Sequence, residues 1–177
     1  MTFLQKACTS GPNGSGKSSL LKIISGADAR HDGRLLFDGQ EITSKNADDY
    51  SYRYVAYLPQ DYVVFDEMTV IENVLFPYGS NDKPKARQVL DEMGLGQLIE
   101  EKGENLSSGE KARLSFARAL FKDPAILLAD EIGVNLDPEN EKIVLSLLEK
   151  ISRKSLVVFV THENEDTNSL HPQGSLK

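Results

Sequence analysis

Gly11-Pro12-Asn13-Gly14-Ser15-Gly16-Lys17-Ser18-Ser19 is the stretch from which the rest of the chain is read. A glycine, four residues, then Gly-Lys-Ser is the spacing of a phosphate-binding loop. The residue types follow from the chemistry. Gly11, Gly14 and Gly16 let successive backbone N–H groups turn inward as a nest for phosphate oxygens. Lys17 supplies a point charge for the β- and γ-phosphates. Ser18 offers a hydroxyl to Mg²⁺. A helix predicted over about Lys17 to Ser25 aims its positive end at the same place. Alone, this loop specifies only a nucleotide phosphate.

The chain has 177 residues, 40% hydrophobic and 27% charged, which is enough for one globular domain with a substantial core. A net charge of −7 argues against a broad nucleic-acid-binding face, and no direct nucleic-acid partner is expected. One cysteine, Cys8, leaves no internal disulfide and fits a reducing compartment. No apolar run reaches membrane-spanning length, so a link to a membrane is expected to pass through a partner.

Phe3 to Ser10 is expected to be the strand feeding the loop, although Ala7, Cys8, Thr9 and Ser10 are small or polar for a buried parallel strand. Gly33 to Phe37 and Gln40 to Ile42, joined at Asp38-Gly39, read as a hairpin. Tyr54 to Leu58 is a short strand. Thr69 to Phe76 reads as a helix capped by Thr69 and Glu72, and Pro84 opens another that stops at Gly94. Ala125 to Ala129 and Leu156 to Val160 are continuous apolar runs, as buried parallel strands are. Between them Asp137-Pro138-Glu139 starts a helix with the stripe Ile143, Val144, Leu147, Leu148 and Ile151. Asn164 to Lys177 is polar and expected to be poorly ordered. Strands alternating with helices predict an α/β fold with a mostly parallel sheet flanked by helices. Its core comprises residues 1–61 and 122–177, and an inserted α-helical subdomain covers 62–121.

Ile126 to Asp130 ends in two acids, Asp130 and Glu131, at a strand end of the kind where an α/β sheet presents ligands. Asp130 is expected to hold Mg²⁺ and Glu131 to act as general base on the attacking water. Gln60, after a strand, suits contact with Mg²⁺ or the water, and equally a plain surface amide. His162, at another strand end, suits orientation of the water or donation to the γ-phosphate, and equally a structural role. Ser107 and Glu110 form a capping box at the start of a helix running to about Lys122, which is also an anion-binding position.

Taken in order, these motifs resemble the nucleotide-binding domain of the ATP-binding cassette (ABC) ATPases. Gly11 to Ser19 is similar to the Walker A loop of that family, Gln60 to its Q-loop, and Leu106-Ser107-Ser108-Gly109-Glu110 to its Leu-Ser-Gly-Gly-Gln signature. Ile126 to Asp130 with Glu131 resembles Walker B and the catalytic glutamate, Leu136-Asp137 the D-loop, and His162 the switch histidine. The resemblance covers roughly Ala7 to Glu163. It implies a RecA-like P-loop NTPase fold and Mg²⁺-dependent ATP hydrolysis, with Gln60, Glu131 and His162 in the chemistry. ATP would be held by Gly11, Pro12, Asn13, Gly14, Ser15, Gly16, Lys17, Ser18 and Ser19, and Mg²⁺ by Ser18, Gln60 and Asp130. The resemblance further implies a head-to-tail dimer with a second nucleotide-binding domain, identical or not. Ser107, Ser108, Gly109 and Glu110 of one copy would face the nucleotide of the other, and Asp137 would bridge the interface. A transmembrane transporter domain is the implied partner, docked on the Tyr62 to Phe76 stretch, at the cytoplasmic face of a membrane.

Departures from the family pattern carry their own expectations. Ser108 stands for a signature glycine, Glu110 for the glutamine, and Ile132-Gly133-Val134-Asn135 where many members have Pro-Thr-Ser-Ala. Met1 lies close to the loop, leaving little chain for the strands and adenine-stacking aromatic that normally come first, so an N-terminally truncated domain is expected. A nucleotide-binding module without turnover and a non-transport ABC ATPase are the alternatives. The coiled coil or second cassette of the non-transport types is missing from the sequence.

Overall fold

The apolar runs at 126–129 and 156–160 become the middle of a sheet because both of their faces are covered. In the computed structural model, which describes residues 6–10, 15–28, 31–130 and 138–161, β1 is Lys6–Ser10, β5 is Ile126–Asp130 and β6 is Leu156–Thr161. Completing the strands, β2 is Leu35–Phe37, β3 is Gln40–Ile42 and β4 is Val55–Leu58. The main sheet has the order β1-β6-β5-β4, and β2 and β3 form a separate two-stranded antiparallel sheet. β6 runs parallel to both neighbours, with Ser10 opposite Thr161, and with Thr9 and Asp130 both opposite Val160. The carboxyl ends of β1 and β5 therefore lie at one edge of the sheet, the edge where α/β folds bind ligands.

Parallel neighbours need crossovers, and helices supply them. These are α1 Lys17–Ile24, α2 Ala47–Tyr54, α3 Val70–Leu75, α4 Lys83–Glu92, α5 Ser108–Phe121 and α6 Pro138–Ile151. The chain divides into two compact units, one of residues 1–57, 124–132 and 148–177, the other of 58–123 and 133–147.

In the first unit, Leu21 of α1, Ile42, Ala47, Tyr50 and Val55 pack with Ile126, Leu128, Val158 and Val160 from alternate positions of β5 and β6. Tyr50 is only 3% exposed and donates its hydroxyl to the Ile24 carbonyl at 2.9 Å, so its polar end is satisfied inside the core. The β2–β3 turn has Asp38 at φ 49° and Gly39 at φ 77°. Two left-handed residues in a row suit the twist of a tight hairpin.

In the second unit α3, α4 and α5 pack against one another. Val70, Val74, Ala86, Leu90, Ala112 and Phe116 are fully buried there. Asn73, also fully buried, accepts the Phe65 N–H at 2.8 Å and donates to the carbonyls of Phe65, Met68 and Thr69. One side-chain amide thus satisfies four backbone groups of this segment, which also pairs with residues 102–104 through a bridge at Thr69–Lys102. α5 holds the same loop from another direction. Lys111 pairs with Asp66 at 3.1 Å, and Arg118 donates to the Val63 carbonyl at 2.5 Å with its guanidinium 5.7 Å from the Phe65 ring centre.

One helix lies outside the sequence reading, and the expected first strand is present despite its composition. α2 is absent from the sequence reading, because apart from Ala47 and its tyrosines its residues are polar. Asp48 and Asp49 in its first turn, Arg53 in its last and the Arg53–Asp49 ion pair at 2.7 Å stabilise it locally. Its presence moves the start of the expected 54–58 strand to Val55. β1 is a strand despite its small and polar residues, since five register pairs with β6 outweigh its weak propensity.

Candidate functional site

The described part of the phosphate loop ends at Gly16, whose φ of 90° lies in the left-handed region. A side chain is disfavoured there, and the turn lets Lys17 begin α1 directly. Among the described residues no side chain caps this helix, and its first turn contains no acid. The positive end of the helix dipole therefore meets no acid from the helix itself, which favours an anion there. Lys17 itself is buried, 8% exposed, whereas Ser15, Gly16, Ser18 and Ser19 are exposed.

Asp130 ends β5 half-buried, beside this helix start. Ser18 Oγ donates to its Oδ1 at 3.3 Å, bringing together two residues 112 positions apart. Its other oxygen, Oδ2, accepts the Tyr57 hydroxyl at 2.8 Å. Tyr57 comes from β4, where Val55, Ala56 and Leu58 are buried and it alone is not. Burial, and then the Asp130 carboxylate, pushes the Tyr57 phenol well above the ordinary tyrosine range, so it remains a donor. Sequence reasoning missed Tyr57. The available signal was that it is the polar-tipped residue in an otherwise apolar strand.

A hydroxyl and a carboxylate, both hard oxygen donors, suit Mg²⁺, which commonly keeps several waters and uses few protein ligands beside phosphate oxygens. Among the described residues no cluster of three or more His, Cys, Asp or Glu side chains is arranged to hold a metal ion. A small protein donor set completed by phosphates and water is the one that fits.

The other predicted residues belong to the second unit or lie outside the described residues. Gln60 is exposed just after β4. At the start of α5, Ser107 and Ser108 are exposed, Gly109 is buried and Glu110 is half-buried. The capping box is fully formed. The Ser107 N–H and hydroxyl donate to Glu110 Oε2 at 2.8 and 2.7 Å, and the Glu110 N–H donates to Ser107 Oγ at 3.3 Å. The hydrogen bonds from the Ser107 hydroxyl and backbone hold the Glu110 carboxyl below the usual glutamate range. Gly11, Pro12, Asn13, Gly14, Glu131, Asp137 and His162 lie outside the described residues. So do Ile132-Gly133-Val134-Asn135 and Asn164 to Lys177. Among the described residues, no helix is long and apolar enough to cross a membrane.

Comparison with known proteins identifies the family. The family model described as ABC transporter matches residues 5–133. The lipoprotein-releasing system ATP-binding protein LolD of Aquifex aeolicus is 36% identical over 171 residues, covering 91% of this chain and 76% of LolD. The molybdate/tungstate import ATP-binding protein WtpC of Pyrococcus abyssi is 37% identical over 171 residues, covering 90% of this chain and 48% of WtpC. The chain thus spans about half the length of that import relative. Among solved structures, CbiO1 from Clostridium perfringens, part of the ABC transporter complex CbiONQ, superposes with a TM-score of 0.81. At 23% identity, covering 94% of this chain and 70% of that one, this is a likeness of fold. The chain belongs to the ABC transporter family, as one of its ATP-binding, ATP-hydrolysing domains.

Proposed function

We propose that this domain hydrolyses Mg²⁺-bound ATP between two nucleotide-binding domains packed head to tail, and that the cycle drives a transmembrane transporter partner. The observation that carries the reading is the meeting of Ser18 Oγ and Asp130 Oδ1 at 3.3 Å, at the start of an uncapped helix that opens with buried Lys17. The backbone of Gly11 to Ser19 and the Lys17 ammonium bind and orient the phosphates. Ser18 and Asp130, with Gln60, would hold Mg²⁺, which when bound neutralises charge on the β- and γ-phosphates. Glu131 takes the proton of the attacking water as its oxygen bonds to the γ-phosphorus and the bond to the ADP oxygen breaks. His162 orients that water.

Ser107, Ser108, Gly109 and Glu110 of the second domain close over the γ-phosphate, and Asp137 bridges the two. The transmembrane partner docks on the Tyr62 to Phe76 stretch, with the domain at the cytoplasmic face of the membrane. Supporting that surface, a groove of about 560 Å³ is lined in part by Met68, Ile71, Leu75 and Phe76, and Phe76 is 58% exposed. The rest of the lining is largely polar, with Glu72 and Glu100 as well as Lys83 and Arg87, and such a mixed groove suits an amphipathic segment.

ATP turnover by the purified chain, followed across protein concentration with Glu131→Gln as control, tests the reading. Turnover rising faster than linearly and vanishing in the control is the expected result. A control that turns over at the parental rate refutes the role of Glu131. A folded chain that binds ATP without turnover refutes hydrolysis by this domain alone.

A further inference from the structure

We infer that Tyr57 is a positioning residue for the metal site, its hydroxyl locking the Asp130 carboxylate so that one oxygen stays turned toward Ser18 and the bound Mg²⁺–nucleotide. The inference rests on the proposed reading of Ser18 and Asp130 as the Mg²⁺ side chains. It starts from the division of labour on one carboxylate. Oδ2 is taken by the phenol at 2.8 Å, and Oδ1 meets Ser18 Oγ at the longer distance of 3.3 Å. A terminal carboxylate torsion is broad and roughly two-fold, so an unbraced aspartate presents its oxygens in many directions. A donor on one oxygen removes that freedom and fixes where the other points. Asp130 is the last residue of its strand, where the backbone constrains a side chain least, so an external brace has most to contribute.

β4 supplies the brace from the neighbouring position in the sheet. Val55, Ala56 and Leu58 are buried and anchor the strand, while Tyr57 is 38% exposed and reaches Asp130 with its hydroxyl. Groups that orient a metal ligand without touching the ion commonly matter 10- to 100-fold for affinity or activity. Tyr57 sits three residues before Gln60, so the strand that braces the carboxylate also leads directly into the residue proposed to join Ser18 and Asp130 at Mg²⁺.

The test uses the whole chain with ADP and measures Mn²⁺ binding by electron paramagnetic resonance of the free ion. Tyr57→Phe should weaken Mn²⁺ binding about 10-fold. ADP affinity in EDTA should be unchanged, because the phenol touches no phosphate-binding group. In an Asp130→Asn background the same substitution should have no further effect, since its influence passes through that carboxylate. A merely structural tyrosine would lower thermal stability and leave the Mn²⁺ dissociation constant in place. Equal Mn²⁺ affinity in Tyr57→Phe and parent overturns the inference, as does an equal loss in the Asp130→Asn background. No Mn²⁺ binding by the parent overturns the reading of Ser18 and Asp130 as well, which separates the two failures. Should Tyr57→Phe not fold, Tyr57→Leu serves the same comparison.

Discussion

Two helix starts carry the proposed phosphate chemistry, and they are built in opposite ways. α1 begins with a left-handed glycine, shows no side-chain cap among the described residues and has no acid in its own first turn, so the helix brings no negative group of its own to its positive end. α5 begins with a complete capping box, in which Glu110 accepts both the N–H and the hydroxyl of Ser107. The first has no carboxylate of its own. The second is finished by its own carboxylate, which also places a negative charge where a glutamine would be neutral. On the proposed reading, an end of the first kind would meet phosphate directly. An end of the second kind would favour phosphate only after a cation had offset the charge, and would suit a surface that closes late on a nucleotide held by Lys17 and Mg²⁺.

The largest expected effect lies at α1. Lys17→Ala should weaken ATP binding at least about 100-fold, roughly 3 kcal/mol, the scale of lost hydrogen bonds to charged groups. Titration with a fluorescent ATP analogue measures it, and unchanged affinity would remove α1 from the comparison. Gly16→Ala should come next. Its φ of 90° is strained for any other residue, at about 1–2 kcal/mol, and the strain falls on the backbone that cradles phosphate. Stability and ATP affinity should drop together, and loss of only one would show that the turn does not serve both.

At α5 the effects are smaller and sort differently. Ser107→Ala should cost about 1 kcal/mol in thermal unfolding by removing the cap, with ATP binding to the single domain unchanged. Weaker ATP binding to that single domain would mean that the two helix starts are not independent. The smallest effect is a pH dependence. The Glu110 carboxyl is held below its ordinary value in the folded chain. Its contribution is therefore present above the ordinary glutamate range and is lost as pH falls through the lowered value. Glu110→Gln should remove that acid-sensitive part, a few tenths of a kcal/mol for a half-buried group still screened by solvent. Melting curves between pH 3 and 7 that superpose with the parent would show that the carboxylate contributes nothing.

The sequence by itself determined whatever depends on neighbours along the chain. The capping boxes at Thr69–Glu72 and Ser107–Glu110, Pro84 in the first turn of α4, the Asp38-Gly39 turn and the apolar strands 126–129 and 156–160 are all set by spacings of a few residues. The glycine and lysine at 16 and 17 belong to the same class, because torsion angles and helix starts are local properties. Only the tertiary structure decided the rest. β1 exists because β6 lies beside it, and the α2 helix is anchored by Tyr50, which finds a buried acceptor 26 residues away. Asn73 sits in an apolar helix because a loop needs its amide, and Asp130 meets Ser18 and Tyr57 across gaps of 112 and 73 residues. Local spacing encodes torsions and patterns. A hydrogen bond between residues far apart in the chain depends on which strand neighbours which, and that is settled by how the apolar faces bury one another.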